Sequence, residues 1–177
     1  MIKINQNPPS YLIVVLLLFS VFGCSTHIVA EKYPVDRKML PDFSSKNAIS
    51  ITNQQLNKKE VKFSTNRNHN YLGNLSQFTD VAIETLEGEL KNQGIIVENT
   101  ADKKIGIAVT KIDIQANEWS GFWCESIVKV ETGDGYKAEI DGHDSNAWIL
   151  FPCIHGALNH AVVAVLNDDK VIEYLKR

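Results

Sequence analysis

Apolar and polar positions alternate along this chain in two rhythms. Leu75, Phe78, Ala82, Leu86 and Leu90 recur every three to four residues, with Ile83 beside them, which is the spacing of one face of an α-helix. Ser76 can cap that helix, Thr79 and Asp80 fall early enough to suit its dipole, and Gly94 is placed to end it. A second apolar stripe, Leu158, Ala161, Val162, Val165 and Leu166, predicts another helix. After Asn167-Asp168, a last turn presents Val171, Ile172, Tyr174 and Leu175.

Between and before these helices the period is two. Ile49 and Ile51 alternate with Ala48, Ser50 and Thr52, and Val61 and Phe63 share a face within Glu60 to Ser64. Asn66 to Asn74 reads as a polar loop, and Ile95-Ile96-Val97 as a short strand. Lys103 to Ile114 is longer: Ile105, Ile107 and Val109 alternate, and Ile112 and Ile114 continue in the opposite phase, which a β-bulge near Lys111 produces. In Phe122 to Glu131, the residues Phe122, Cys124, Ser126, Val128 and Val130 share one face. Thr132-Gly133-Asp134-Gly135 then makes a hairpin turn into a strand with Tyr136, Ala138 and Ile140 that runs out at Gly142, with a polar stretch from Asp141 to Asn146. The order is two strands, a helix, three or four strands and a helix. It predicts an α+β fold, an antiparallel (mixed) sheet with two main helices packed on one face.

The amino terminus obeys neither rhythm. Tyr11 to Phe22 is an apolar run of 12 residues preceded by Lys3, too short to span a bilayer, which takes about 20 residues, and laid out like a signal peptide. It ends in Val21-Phe22-Gly23-Cys24, which resembles a bacterial lipobox: an aliphatic residue three before the cysteine, a small residue just before it, and a thiol that takes a diacylglyceryl group. Phe22 is bulkier than the residue usual at its position. The alternative is a buried cysteine at the end of an uncleaved anchor helix. On the lipobox reading, 1–23 is a lipoprotein signal peptide, 24–46 a lipidated tether carrying Pro34 and Pro41, and 47–177 a single domain. Several acyl chains hold a protein stably on a membrane. Ser25 follows the cysteine where an aspartate commonly retains enterobacterial-type lipoproteins in the inner membrane, so the expected location is the periplasmic face of the outer membrane, lipid-anchored.

Composition narrows the remaining possibilities. Removing 1–23 leaves 154 of 177 residues, a length that suits one core, and shifts the formal charge from −3 to −4. That balance gives no electrostatic reason to bind nucleic acid. With Cys24 assigned to lipid, Cys124 and Cys153 remain, an even pair in an oxidising compartment. Cys124 lies on the strand face that Val128 and Val130 put toward the core, and Cys153 precedes the helix that packs there. A disulfide is expected; two separate buried thiols are the alternative.

Candidate chemistry is sparse. His143, Asp144, His155 and His160 are the best metal set, but His155 and His160 are five apart and do not share a helix face as i and i+4 would, and both are expected near solvent. A serine with histidine and aspartate exists without a nucleophile elbow. Gly133 and Gly135 open no helix, and the Asp144 segment lacks a calcium-loop rhythm. The chain is therefore expected not to be an enzyme and to use no metal and no cofactor beyond the covalent lipid on Cys24. Trp119, Trp123 and Trp148 lie near turns, where they either cap the core or form a binding patch.

The lipobox at Val21 to Cys24, the segment FTDVAIETLEGELKNQGIIV and the ending ALNHAVVAVLNDDKVIEYL together resemble the YajG-type bacterial lipoproteins. That resemblance implies an uncharacterised outer-membrane lipoprotein without known catalytic residues. The functional expectation is a non-catalytic envelope lipoprotein attached to the membrane through its lipid and binding another envelope component, such as a membrane-protein assembly. The alternative is a periplasmic small-ligand-binding or sensor lipoprotein.

Overall fold

The computed structural model describes residues 24–41, 47–64, 69–117 and 120–177. The signal-like run 1–23, the end of the tether and Trp119 lie outside the described residues. In chain order the elements are β1 (Cys24–Ile28), β2 (Ala48–Asn53), β3 (Glu60–Lys62), β4 (His69–Asn74), α1 (Leu75–Asn92), β5 (Ile96–Val97), β6 (Lys103–Asn117), β7 (Gly121–Thr132), β8 (Lys137–Asn146), α2 (Leu150–Asn167) and α3 (Asp169–Lys176). The main sheet has the spatial order β5-β2-β6-β7-β8 and a smaller one the order β1-β4-β3. β2 runs parallel to both β5 and β6, while β6, β7 and β8 are antiparallel, so the main sheet is mixed.

The phase change in the long strand is resolved as a bulge. The β6–β7 register shifts between Val109 and Lys111, and Ile105, Ile107, Val109, Ile112 and Ile114 all end up buried on one face. On that face Cys124, Val128 and Val130 join Phe78, Leu86 and Leu90 of α1 and Ile154, Leu158 and Leu166 of α2 in one core. β2 pairs with β6 only as far as Ile107, and side chains take over from it there. Thr79 Oγ1 accepts the Val109 N–H at 2.9 Å, and Gln55 Nε2 donates to the Val109 carbonyl at 2.7 Å. Further along, the Ile114 N–H finds the Phe63 carbonyl at 2.8 Å. The backbone of β6 is thus supplied with partners where its neighbouring strand stops.

α1 begins two residues earlier than a Ser76 cap implies. Asn74, still extended as the last residue of β4, accepts the Ser76 N–H at 2.9 Å through its side chain, and Ser76 is buried in the first turn. Gly94, with φ +84°, ends the helix as its position predicts, and the Ile95 N–H returns to the Leu90 carbonyl. At the other junction Asp168 caps α3 by accepting the Lys170 and Val171 N–H groups and also receives the Tyr136 hydroxyl at 2.9 Å. That bond to a carboxylate raises the Tyr136 phenol above its ordinary range.

Three segments are more ordered than their polarity suggests. Residues 69–74, read as loop, form β4, because β1 pairs with them on one side and β3 on the other through backbone groups that need no apolar alternation. β8 continues through Asn146, since each of its polar residues still has a partner on β7. The first part of the tether is laid on the domain: Cys24 opens β1, Asn159 donates to the Tyr33 and Pro34 carbonyls, and Asn167 and Gln93 reach the carbonyls of Met39 and Pro41. Amide side chains on the helices hold this segment, and nothing in its own pattern reveals them.

α2 lies unusually close to β7 and β8. It is the one described helix long and apolar enough to cross a membrane, and most of it is buried here in the core. A Cβ placed on Gly142 would stand 2.2 Å from the Ala157 carbonyl and the Ala161 nitrogen, and Ser126, opposite Gly142 in the register, has a buried hydroxyl with no hydrogen-bond partner. Gly142→Ala is expected to lower stability by about 2 kcal/mol through this overpacking. Ser126→Ala, which removes the unpaired hydroxyl, is expected to leave stability unchanged or raise it by about 1 kcal/mol. Denaturant melts of the two variants check both; a neutral Gly142→Ala would show that α2 is free to lift.

Candidate functional site at the aromatic end

The end of the fold where β6 turns into β7 is built from several segments. Gly121 has φ +82°, and a Cβ on it would lie 2.4 Å from the Ala147 carbonyl, so the β6–β7 turn and the β8–α2 connection touch backbone to backbone. Asn146 fixes that connection: its side-chain oxygen accepts the N–H groups of Trp148 at 3.0 Å and Ile149 at 2.9 Å. The connection is thereby held with Trp148 88% exposed, Ile149 56% and, in the first turn of α2, Phe151 45%. Leu150, between them, points into the core.

Trp123 belongs to the same end but to the opposite face of the sheet from the helices. It is 39% exposed, and its ring stacks on His143 of β8 with centroids 5.1 Å apart. An open depression of about 440 Å³ runs beside it, lined by Gln115, Ala116, Ser120, Gly121, Phe122 and Ser145 as well. Of the three tryptophans singled out in the sequence, the structure brings Trp123 and Trp148 to one end; Trp119 is outside the described residues. Ile149 and Phe151 were missed. The available signal was the run Trp148-Ile149-Leu150-Phe151 at a helix start, where a period of 3.6 lets only part of an apolar run face inward.

The rest of the helix-free face is polar. Lys111 of β6 meets Glu125 of β7 at 2.6 Å and Asp113 at 3.9 Å, and the Glu125 bond pushes the lysine above its usual range. Lys137 meets Glu131 at 2.9 Å. In each pair the lysine is about half exposed and the carboxylate largely covered, and pairs with one solvated partner contribute little to stability.

Cys124 and Cys153 are both fully buried and are joined by a disulfide, with Cα atoms 5.7 Å apart. The bond ties β7 to the first turn of α2 across a sequence separation of 29. In the chain-entropy description such a closure stabilises by about 3.5 kcal/mol.

The histidines do not converge. His143 pairs with Asp141 at 2.7 Å on the polar face, and His160 bonds through Nδ1 to the His143 carbonyl. His155, expected near solvent, is buried in α2. Its Nε2 accepts the Glu31 N–H at 3.0 Å and its Nδ1–H donates to the Phe151 carbonyl at 2.8 Å, so the neutral tautomer is fixed by its two partners. Tyr33, Phe78 and Phe151 surround the ring at centroid distances of 6.2 to 6.4 Å. No cluster of three or more potential metal-ligating side chains is present among the described residues.

These features define a small α+β domain with a mixed sheet, helices on one face and an apolar end. No family model matches the chain, and no curated protein matches it. Among solved structures it is similar to XCC0632 from Xanthomonas campestris, described by the family model DUF330, with a TM-score of 0.49 and 11% identity over 85% of this chain and 94% of that one. It is also similar to a protein described as uncharacterized, with a TM-score of 0.41 and 7% identity over 86% and 99% of the two chains.

Two outcomes follow from the buried groups. His155→Leu keeps the ring's approximate volume but leaves the Glu31 N–H unpaired; it is expected to cost about 2 kcal/mol and to speed amide hydrogen exchange in residues 29–36 selectively. Faster exchange spread evenly over the chain would show that the histidine does not hold this segment. A mild reductant is expected to leave the disulfide intact in the folded protein and to open it in denaturant, read by thiol alkylation; ready reduction of the native protein would contradict the burial.

Proposed function

We propose that the chain is a lipid-anchored protein of the bacterial cell envelope, held through Cys24 at the periplasmic face of the outer membrane, whose domain binds another envelope component and does no catalysis. The observation that carries the reading is the apolar run Tyr11 to Phe22 ending in Val21-Phe22-Gly23-Cys24. Cys24 is also the first residue of β1, so a lipid on it would attach directly to folded structure. The Cys124–Cys153 disulfide supports an oxidising compartment. The exposed Trp148 and Ile149, whose backbone Asn146 holds, and the exposed Phe151 beside them support binding, because large apolar side chains fixed in water mark contact surfaces.

Intact mass of the protein extracted from membranes tests the reading. The expected species begins at Cys24, carries fatty acyl groups, and lacks the two hydrogens lost when Cys124 and Cys153 join. A full-length chain with three free thiols overturns it.

A further inference from the structure

We propose that the aromatic end is a membrane-contacting surface: Trp148, Ile149 and Phe151 insert into the interfacial layer of the bilayer to which Cys24 is attached. The inference rests on the lipid anchor proposed above and names the component that this end meets.

The registers place the anchor and the aromatics at the same end. Ser64 forms a parallel bridge to Ile114, so β3 runs toward the end at which β6 turns. β4 returns antiparallel to β3 from that end, and β1, parallel to β4, begins there with Cys24 opposite His69. β7 starts at the same end and β8 finishes there, with Phe122 opposite Asn146, and α2 starts just beyond. A lipid on Cys24 has no linker between it and the first strand, so it brings this end, and not the polar sheet face, against the membrane.

The chemistry of the end suits a lipid surface. Trp148, Ile149 and Phe151 are exposed, and residues 145–154 around them contain no aspartate, glutamate, lysine or arginine. Tryptophan favours the headgroup level, where its ring is in an apolar layer and its N–H can still bond, and Ile149 and Phe151 add apolar area. Because Asn146 already fixes the loop, insertion requires little further ordering.

The test uses the lipidated protein reconstituted in zwitterionic phosphatidylcholine vesicles whose acyl chains carry bromine near the headgroup, a short-range quencher of tryptophan. Roughly twofold quenching is expected, and most of it should vanish in Trp148→Phe. Ile149→Ser with Phe151→Ser should reduce quenching of Trp148 while the protein still floats with the vesicles. Unquenched Trp148 in a lipidated, vesicle-bound protein overturns the proposal and leaves the anchor standing. Unquenched Trp148 that is nevertheless shielded from iodide in native membranes also overturns it, in favour of a protein partner. If the mass shows no lipid, the anchor reading fails, and the same chain is mixed with the vesicles: quenching of Trp148 then supports membrane contact by itself, and its absence overturns that too.

Discussion

The close seat of α2 on β7 and β8 is the contact on which the other parts of this fold depend. It is permitted by small residues, Gly142 and Ser126 below the helix and Ala157 and Ala161 on it, and it is locked at one end by Cys124–Cys153. From that position His155 and Asn159 reach the backbone of residues 31–34, and the His155 ring stands beside Phe78 of α1. A helix a few ångströms higher could not make those bonds, because hydrogen bonds weaken steeply outside a narrow range of distance and angle. The N-terminal segment, both long helices and the sheet are therefore coupled through one interface.

The second organising feature is the length of β6. No single neighbour covers its outer edge: β2 takes the first part, the Thr79 and Gln55 side chains take Val109, and Phe63 takes Ile114. The bulge lets the strand keep its apolar residues on the core side through this change of partners. It also carries the strand far enough to place the β6–β7 turn beside the β8–α2 connection, with Gly121 against Ala147. The apolar end exists because two long strands and a helix start meet there.

Polarity is distributed unequally over the surface. The helix-free face of β6, β7 and β8 carries the ion pairs of Lys111 and Lys137 and the His143–Asp141 contact, while the β8–α2 connection carries the exposed Trp148, Ile149 and Phe151.

The sequence by itself determined the elements whose signal is local. The 3.6-residue stripe of α1, the alternation of β6 and β7, the bulge, the Gly94 stop and the 132–135 turn depend on side-chain periodicity and backbone preference within a few residues, and all are read directly from the chain. The candidate residues Trp123, Trp148, Cys124 and Cys153 were also legible, since their types and positions near turns or on a core face are local facts. Tertiary structure decided what depends on a partner distant in sequence. β4 is a strand because β1 and β3 flank it; the segment after Cys24 is ordered because amides of α2 find its carbonyls; His155 is buried because Glu31 satisfies its free nitrogen. The aromatic end likewise required the fold, because Trp148 and Ile149 are left outside only once Leu150 has taken the inward position and Asn146 has fixed the turn. Hydrogen-bond partners and exposed leftovers are set by which surfaces meet, and a chain's periodicity records only which face of each element is apolar.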